Sequence, residues 1–392
     1  MLRCGAGKAT IDLEGVLPHD GFAGVNDDLC MRALVFENAD GNRSCLLSAE
    51  ETSLRDDASL RAAAAQAVGC AEDAVWVSVT HTFSAPHVRT PGHLADDAAR
   101  ERNELFAKRL AGAARDACVQ AVASLAPARF ATAVGSCSVN VNRDVEMPEG
   151  WWLGTNPDGF SDRTVRVLSV RSAADPEQVI AIVFTADVQS SVVQGLRGEG
   201  GGLLVSGDLA GGAMRLLERE LDGTAIFLTG AAGDQAPCLT GTEALAELSE
   251  KLAAEVVAAL GHAEKLQADG FRLLSKSVSL PGQRRADFAT LSPQLRYDFE
   301  PAGPEPTTVY LARLGGLAVA GIQPEVESRF GARLRGIASR PFELVTLVNG
   351  AQKYLPGADS YDRITYEAMN SGFARGAEER LEKAILDLVN KS

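Results

Sequence analysis

The chain has 392 residues, of which 46% are hydrophobic and 23% are charged. This length and balance can bury a large core and exclude a disordered, collagen-like or fibrous protein. The formal net charge is −14, from 52 acidic and 38 basic residues. Because a negative field repels phosphate backbones, nucleic acid is not expected as a partner. No apolar run approaches the roughly 18 residues of a membrane-spanning helix.

Cysteine usage and the first residues bear on the compartment. The seven cysteines are scattered and form no CxxC pair, a pattern that favours free thiols in a reducing cytosol. The start, Met1–Lys8, has no apolar segment of the kind found in secretory signals. We therefore expect a soluble, cytoplasmic protein.

Apolar runs and helical periodicity alternate along the whole chain. Strands are predicted at 33–36, 45–48, 74–79 and 225–228, within 128–186 around a loop at 148–160, and within 271–349. Helices are predicted at 58–69, 95–126, 208–221, 242–266 and 378–390. This order predicts an α/β fold of mixed β-sheets covered by helices. Since no long linker or repeat interrupts it, we expect one large domain over residues 1–392.

Three of the five histidines, His81, His87 and His93, lie within 13 residues. His81 directly follows the predicted strand 74–79, and α/β proteins bind ligands at the carboxyl ends of strands. Neutral imidazole is also the commonest metal ligand in proteins. The residues alone leave two interpretations open for His81, a metal or catalytic role and a surface loop that contains histidines.

Other polar blocks also follow apolar strands. Glu325 comes after the apolar run 316–322 and is either a site residue or a solvated loop carboxylate. Ser206 and Asp208 precede a predicted helix, where either could be an N-cap. The glycines of the block 230–237 permit a tight turn or close approach to a ligand. No GxSxG or GxGxxG pattern is present, so a serine nucleophile and nucleotide binding lack support.

Read in order, these blocks resemble the neutral (non-lysosomal) ceramidase family, as a short, divergent, bacterial-type relative. The strongest match is Thr80–Pro86, which is similar to the family's Thr-His-Thr-His-Ser-Gly-Pro. The remaining matches, all in the family's order, are Gly5–Ile11, Arg32–Phe36, Asn142-Arg143, Asn156-Pro157, Ser206–Gly211, Gly230–Pro237, Pro324-Glu325, Tyr354 and Tyr366-Glu367. The resemblance implies a ceramidase-catalytic-domain-like fold, without the family's C-terminal accessory domain.

The family holds one Zn²⁺ with two histidines, a glutamate and a tyrosine. Carried over, the resemblance implies His81, Glu325 and Tyr354 as ligands, with Asp187 in the place of the second histidine. We expect zinc or another divalent metal on these four residues, with a position left open for water. The alternative for Asp187 is that it caps a turn or pairs with a nearby arginine.

Two further residues are implied as catalytic. Arg143 would orient or neutralise an anionic group, and its alternative is a structural salt bridge. Tyr366 would donate a hydrogen bond to a developing oxyanion, and its alternative is a packing role. Phe83 replaces the second histidine of the family's block. Ala236 replaces the family's serine, which excludes a serine-based mechanism and leaves a metal-assisted one.

The resemblance therefore implies a ceramidase-like hydrolase that acts on an unknown small substrate, with an amide as the expected bond. Such a protein would be a metal-dependent amidase. The alternative is a catalytically inactive member that binds a small molecule or a protein partner, because several of the family's site residues are replaced.

Overall fold

The computed structural model describes residues 1–54 and 57–391. The helices of this part are Ala58–Val68 (α1), Asp97–Ala123 (α2), Asp208–Leu221 (α3), Thr242–Leu260 (α4), Ser328–Ile337 (α5), Ala358–Arg363 (α6), Tyr366–Met369 (α7) and Ala377–Lys391 (α8). The strands up to residue 186 are Arg3–Thr10 (β1), Phe22–Val25 (β2), Cys30–Glu37 (β3), Arg43–Ala49 (β4), Val75–Val79 (β5), Ala126–Ser136 (β6), Asn140–Met147 (β7), Gly150–Asn156 (β8), Thr164–Ser172 (β9) and Val179–Ala186 (β10). The later strands are Leu203–Val205 (β11), Thr224–Thr229 (β12), Gln235–Pro237 (β13), Glu264–Leu266 (β14), Phe271–Gln283 (β15), Pro301–Leu314 (β16), Leu317–Ile322 (β17) and Phe342–Val345 (β18).

Two sheet halves pack face to face between two layers of helices. Strands β1, β3, β4 and β5 form one half, β6, β9, β10, β12 and β14 form the other, and β1 joins β6 through only two residue pairs. Side chains alternate along each strand. In β3, Ala33 and Val35 pack with α1 and α2, whereas Leu34 and Phe36 face the second half. In β10, Phe184 packs with α3 and α4. This αββα arrangement confirms the predicted class.

A further sheet has its own helical cover. Strands β15, β16, β17 and β18 follow one another in space, with β17 and β18 parallel. Their apolar side chains form a core with Phe330 of α5 and Leu381 of α8. The segment that follows β17, which includes Glu325, therefore lies at the edge of the αββα layers.

The carboxyl ends of three strands meet at one place. The Thr229 hydroxyl, at the end of β12, donates to the Val79 carbonyl at the end of β5 over 2.8 Å. The backbone N–H of Thr346, just beyond β18, donates to the Thr229 carbonyl over 2.9 Å. These bonds tie both sheet halves to the further sheet, and the loops that leave these ends are therefore neighbours.

Several boundaries differ from the sequence-based prediction, and the segment 271–349, predicted as strands, also contains α5. The predicted loop 148–160 contains β8, because residues 150–156 pair with β7, as between Val145 and Trp152. The predicted helix 242–266 ends at Leu260, and residues 264–266 form β14 against β6. The seven cysteines are free thiols, as predicted. Among the described helices, none is both long and apolar enough to cross a bilayer.

Candidate active site

His81 and Glu325 are in direct contact at the shared strand ends. The His81 Nε2 atom lies 3.0 Å from Glu325 Oε2, and both side chains are buried. The other ring nitrogen, Nδ1, lies 2.6 Å from the Thr52 carbonyl just beyond β4. A carbonyl can only accept, so Nδ1 carries the hydrogen and Nε2 is turned towards Glu325. The backbone of His81 has φ of 58°, an unusual value for a residue with a β-carbon.

Tyr354 is joined to Glu325 by backbone pairing. The Glu325 N–H donates to the Lys353 carbonyl over 2.7 Å, and Leu355 N–H donates to the Glu325 carbonyl over 2.8 Å. Burial alone would raise the pKa of Glu325, but His81 and then Arg143 outweigh it and hold that pKa below its usual value. Burial, together with the nearby Glu325 charge, raises the pKa of Tyr354 well above its usual range. The site therefore pairs an ionised carboxylate with a neutral phenol.

Arg143 brings a positive charge to the same place. Its guanidinium carbon lies 5.4 Å from the centre of the Tyr354 ring and 5.9 Å from that of Tyr366. Its Nη2 and Nε atoms donate to Glu367 Oε1 over 2.6 and 3.0 Å. The ion pair foreseen as the alternative for Arg143 is thus present, and the guanidinium also borders the site.

Tyr366 lies at the side of the site nearest β8. Its ring meets the Tyr354 ring edge-on at 5.7 Å and the Trp152 ring at 5.5 Å. The Asn370 amide donates to the Tyr366 phenol oxygen over 3.0 Å. Because this bond uses the oxygen as an acceptor, the phenol keeps its own hydrogen for another acceptor. Tyr366 therefore both packs and retains a donor.

Asp187 follows β10 directly, but its carboxylate is engaged elsewhere. Oδ1 accepts from the Ala231 N–H over 2.9 Å, while Oδ2 accepts from Ser328 Oγ over 3.0 Å and from Arg335 Nη2 over 3.1 Å. A β-carbon on Gly230 would lie 2.2 Å from Oδ1, so this approach requires glycine. Burial raises the pKa of Asp187 to about 7 although Arg335 opposes the rise.

The predicted site residues therefore divide into two groups. The structure brings together His81, Glu325, Tyr354, Arg143 and Tyr366. In the described part of the chain, the hydrogen-bond and ion-pair partners of the Asp187 carboxylate lie outside that group. The alternative that Asp187 pairs with a nearby arginine matches its contacts.

The donors at the site can be compared with the needs of a metal ion. Two ligands about 2.1 Å from one cation lie about 3.4 Å apart in a tetrahedral set. The 3.0 Å between His81 Nε2 and Glu325 Oε2 is shorter than that separation and lies within hydrogen-bond distance. Within residues 1–54 and 57–391, no three His, Cys, Asp or Glu side chains cluster as metal ligands. The third donor that the resemblance implies beside His81 and Glu325 is the Tyr354 phenol, and all three ligand roles stay predictions.

Several buried carboxyl groups behind the site were missed by the sequence reasoning. Asp144 is buried near Glu367, and burial first, then the Glu367 charge, raises the pKa of Asp144 to about 9. Burial likewise raises the pKa of Asp234 to about 6. Glu367 has a buried oxygen, Oε2, with no hydrogen-bond partner among the described residues. The sequence signals were the matched blocks that contain Asp234 and Glu367, although neither residue was assigned a role.

Glu327 is a buried carboxyl group whose hydrogen bonds connect two parts of the fold. Its Oε1 accepts from Ser360 Oγ over 2.5 Å and from the Gly357 N–H over 3.1 Å. Burial is the main cause that raises the pKa of Glu327 to about 8. These bonds connect the start of α5 to the start of α6.

The other motifs have local roles. Asp208 accepts from the backbone N–H groups of Val192, Val193 and Leu209 over 2.9, 3.0 and 2.7 Å. The N-cap of α3 is Gly207 rather than either predicted residue. Ser206 Oγ donates to Asp27 over 2.5 Å. His87 Nδ1 lies 2.9 Å from Asp20, so the histidine cluster separates and His81 alone enters the buried site.

Comparison with known proteins agrees with this architecture. No protein-family model and no curated protein matches the sequence. Two solved structures match over 99% of this chain and 74% of theirs, with a TM-score of 0.75 for each. One is a ceramidase complexed with C2, at 16% identity, and the other is the neutral ceramidase from Pseudomonas aeruginosa, at 17%. The chain therefore has the neutral ceramidase fold, which confirms the resemblance at the level of fold.

Proposed function

We propose that the protein is a hydrolase that cleaves an amide bond in a small substrate at the buried site around His81 and Glu325. The observation that carries the proposal is the buried contact between these two side chains, with Tyr354 and Arg143 beside it. This contact joins residues that are 244 positions apart, at the strand ends where α/β proteins bind ligands. The ceramidase fold supports hydrolysis without identifying the substrate.

The donor set suits a divalent metal held by His81 Nε2, Glu325 and Tyr354. Such a metal would act as a Lewis acid and lower the pKa of water at the site. The Thr52 carbonyl fixes the imidazole in the tautomer that presents Nε2. Asp187 is left out of this set because Ala231, Ser328 and Arg335 already occupy its oxygens.

The remaining groups bind and stabilise the substrate. The Tyr366 phenol donates to the carbonyl oxygen of the scissile bond, where negative charge develops during attack. The Arg143 guanidinium, oriented by Glu367, adds a positive charge beside that oxygen or beside an anionic substrate group. Because the site is buried, these interactions are stronger than they would be in water.

One set of observations favours the second candidate, a binding protein without catalysis. The residue at the second histidine position, Asp187, is tied to Arg335. Phe83 packs edge-on against the His81 ring at 4.9 Å, and Ala236 replaces the family's serine. A protein of this kind would bind its ligand at the same site without hydrolysing it.

A screen of chromogenic amides and esters, with and without a chelator, tests the proposal together with metal analysis of the purified protein. Glu325→Gln should lower the turnover of any substrate found by at least about 100-fold, since it removes a charged group from the reacting centre. Glu327→Gln is the matched control, because Glu327 is equally buried and bonds only to structural groups in the part described. It should keep turnover within about twofold of the parent.

The outcomes separate the two candidates. Turnover that is lost with the chelator and with Glu325→Gln, but kept with Glu327→Gln, supports the hydrolase. A folded protein with no metal and no turnover on any substrate favours the binding protein.

A further inference from the structure

A cavity lies between the inner faces of the two sheet halves and the sheet of β15–β18, and it has a volume of about 470 Å³. Its walls are mainly apolar and include Phe36, Trp76, Leu168, Leu228, Phe271 and Val319. Leu168 and Val319 belong to the core between the sheets yet keep accessible surface. Protein interiors are close-packed, and a volume of this size lies in the range of ligand pockets, about 300–1,000 Å³.

The walls indicate the chemistry of the occupant. An ordered water molecule needs two to four polar partners, which these carbon-rich walls do not offer over most of their surface. An apolar occupant would instead remove both its own surface and that of the walls from water, which is favourable. The cavity therefore fits an aliphatic chain.

One end of the cavity is charged. Arg166 Nε lies 2.8 Å from Glu343 Oε2, while the other oxygen of Glu343 accepts from Arg335 Nη1 over 2.7 Å. The Glu343 carboxylate thus pairs with the guanidinium groups of both Arg166 and Arg335. Arg335 has further partners in Asp162 and Asp187. Arg166 is partly exposed, and its contact with Glu343 involves Nε, so further N–H donors of its five remain for an incoming anion. Glu264 and His262 also line the cavity.

We propose that this cavity binds one aliphatic carboxylate, with its chain between the sheets and its head group at Arg166. A guanidinium pairs with a carboxylate in a forked geometry, which fixes the head while the walls accept the chain. The cavity lining does not include the residues of the candidate active site. This inference goes beyond the proposed hydrolase function and does not depend on it.

The three tryptophans make a direct binding test available. Trp76 lines the cavity, whereas Trp151 and Trp152 lie on β8, where Trp152 contacts Tyr366. In a Trp151→Phe/Trp152→Phe protein, the fluorescence comes from Trp76 alone. Titration with 12-bromododecanoate should quench this emission in a saturable way with one molecule per chain, because bromine quenches an indole that it contacts. Unmodified dodecanoate should compete.

Variants test where the carboxylate head and the aliphatic chain of the ligand bind. Arg166→Gln should weaken binding about tenfold, while Arg171→Gln, on the same strand but outside the cavity lining, should leave it unchanged. Val319→Phe should abolish binding by filling the cavity, with circular dichroism used to show that it is folded. Absence of saturable quenching in the parent, or equal losses in both arginine variants, would overturn the proposal. Dodecan-1-ol binding as tightly as dodecanoate would overturn the assignment of the head group to Arg166.

Discussion

Replacing Asp187 by alanine should damage the stability of the fold rather than metal binding. The carboxylate accepts three hydrogen bonds, from Ala231 N, Ser328 Oγ and Arg335 Nη2, at 2.9 to 3.1 Å. Alanine removes all three acceptors from a buried position. Arg335 keeps Asp162 and Glu343, so its charge is not left uncompensated.

The magnitude follows from these contacts. Leaving the Ala231 N–H buried without an acceptor costs about 1–3 kcal/mol, and the lost bond from the Arg335 charge costs about 1.5–3 kcal/mol. The removed burial cost of Asp187, whose pKa is raised to about 7, offsets part of this sum. We expect the free energy of unfolding to fall by about 2–4 kcal/mol. Asp187→Asn should lose about half as much, since its amide oxygen can still accept from Ala231.

Urea unfolding of the parent and both variants measures the stability, and calorimetric titration with zinc and manganese measures the affinity. Metal affinity should stay within about twofold of the parent, because Asp187 is not among the assigned ligands. A drop of more than about tenfold in affinity, with the free energy of unfolding within about 0.5 kcal/mol of the parent, would refute this reasoning and make Asp187 a ligand.

Three further changes probe the buried charges. Arg143→Gln leaves Glu367 buried without its cation and should cost about 3–5 kcal/mol in urea unfolding, whereas a loss below about 1 kcal/mol would contradict a buried ion pair. Asp208→Ala removes the acceptor of three backbone N–H groups and should lower the free energy of unfolding by about 3 kcal/mol, with Asp208→Asn affected less. Burial raises the pKa of Glu327 to about 8 in the folded state, above its unfolded value of about 4.3. The stability that the protonated Glu327 contributes is therefore fully present below about pH 4.3 and is lost as the pH rises towards 8. Because Glu327→Gln lacks this titration, the free energy of unfolding of the variant should rise relative to that of the parent between pH 5 and 8. A difference that stays constant over this range would argue against the raised pKa.

The sequence predicted best those elements whose secondary structure is determined by their own side chains. The run Ala33–Phe36 is apolar on both faces, and β3 is covered by helices on one side and by a sheet on the other. Strand β8 was predicted as a loop because residues 148–160 are rich in proline, glycine and asparagine. It is a strand because β7 lies beside it, and no local pattern carries that information.

The same distinction applies to the site. The matched blocks placed His81, Glu325 and Tyr354 together although they are far apart in sequence, and the structure brings them into contact at one buried place. The position of Asp187 at a strand end was also predicted correctly. Its carboxylate pairs with Arg335 of α5, as the alternative for Asp187 has it, and no block of the resemblance contains that arginine.

The contrast between Asp187 and His81 explains why the site is centred on the histidine. The negative charge of Asp187 is met by a cation of its own chain, Arg335, so that position needs no further positive partner. At His81, Nδ1 must donate to the Thr52 carbonyl, and Nε2 faces the carboxylate of Glu325, which also only accepts. Two acceptors 3.0 Å apart repel each other unless a positive charge stands with them. The metal proposed for this contact would supply that charge, whereas Asp187 already has its cation in Arg335.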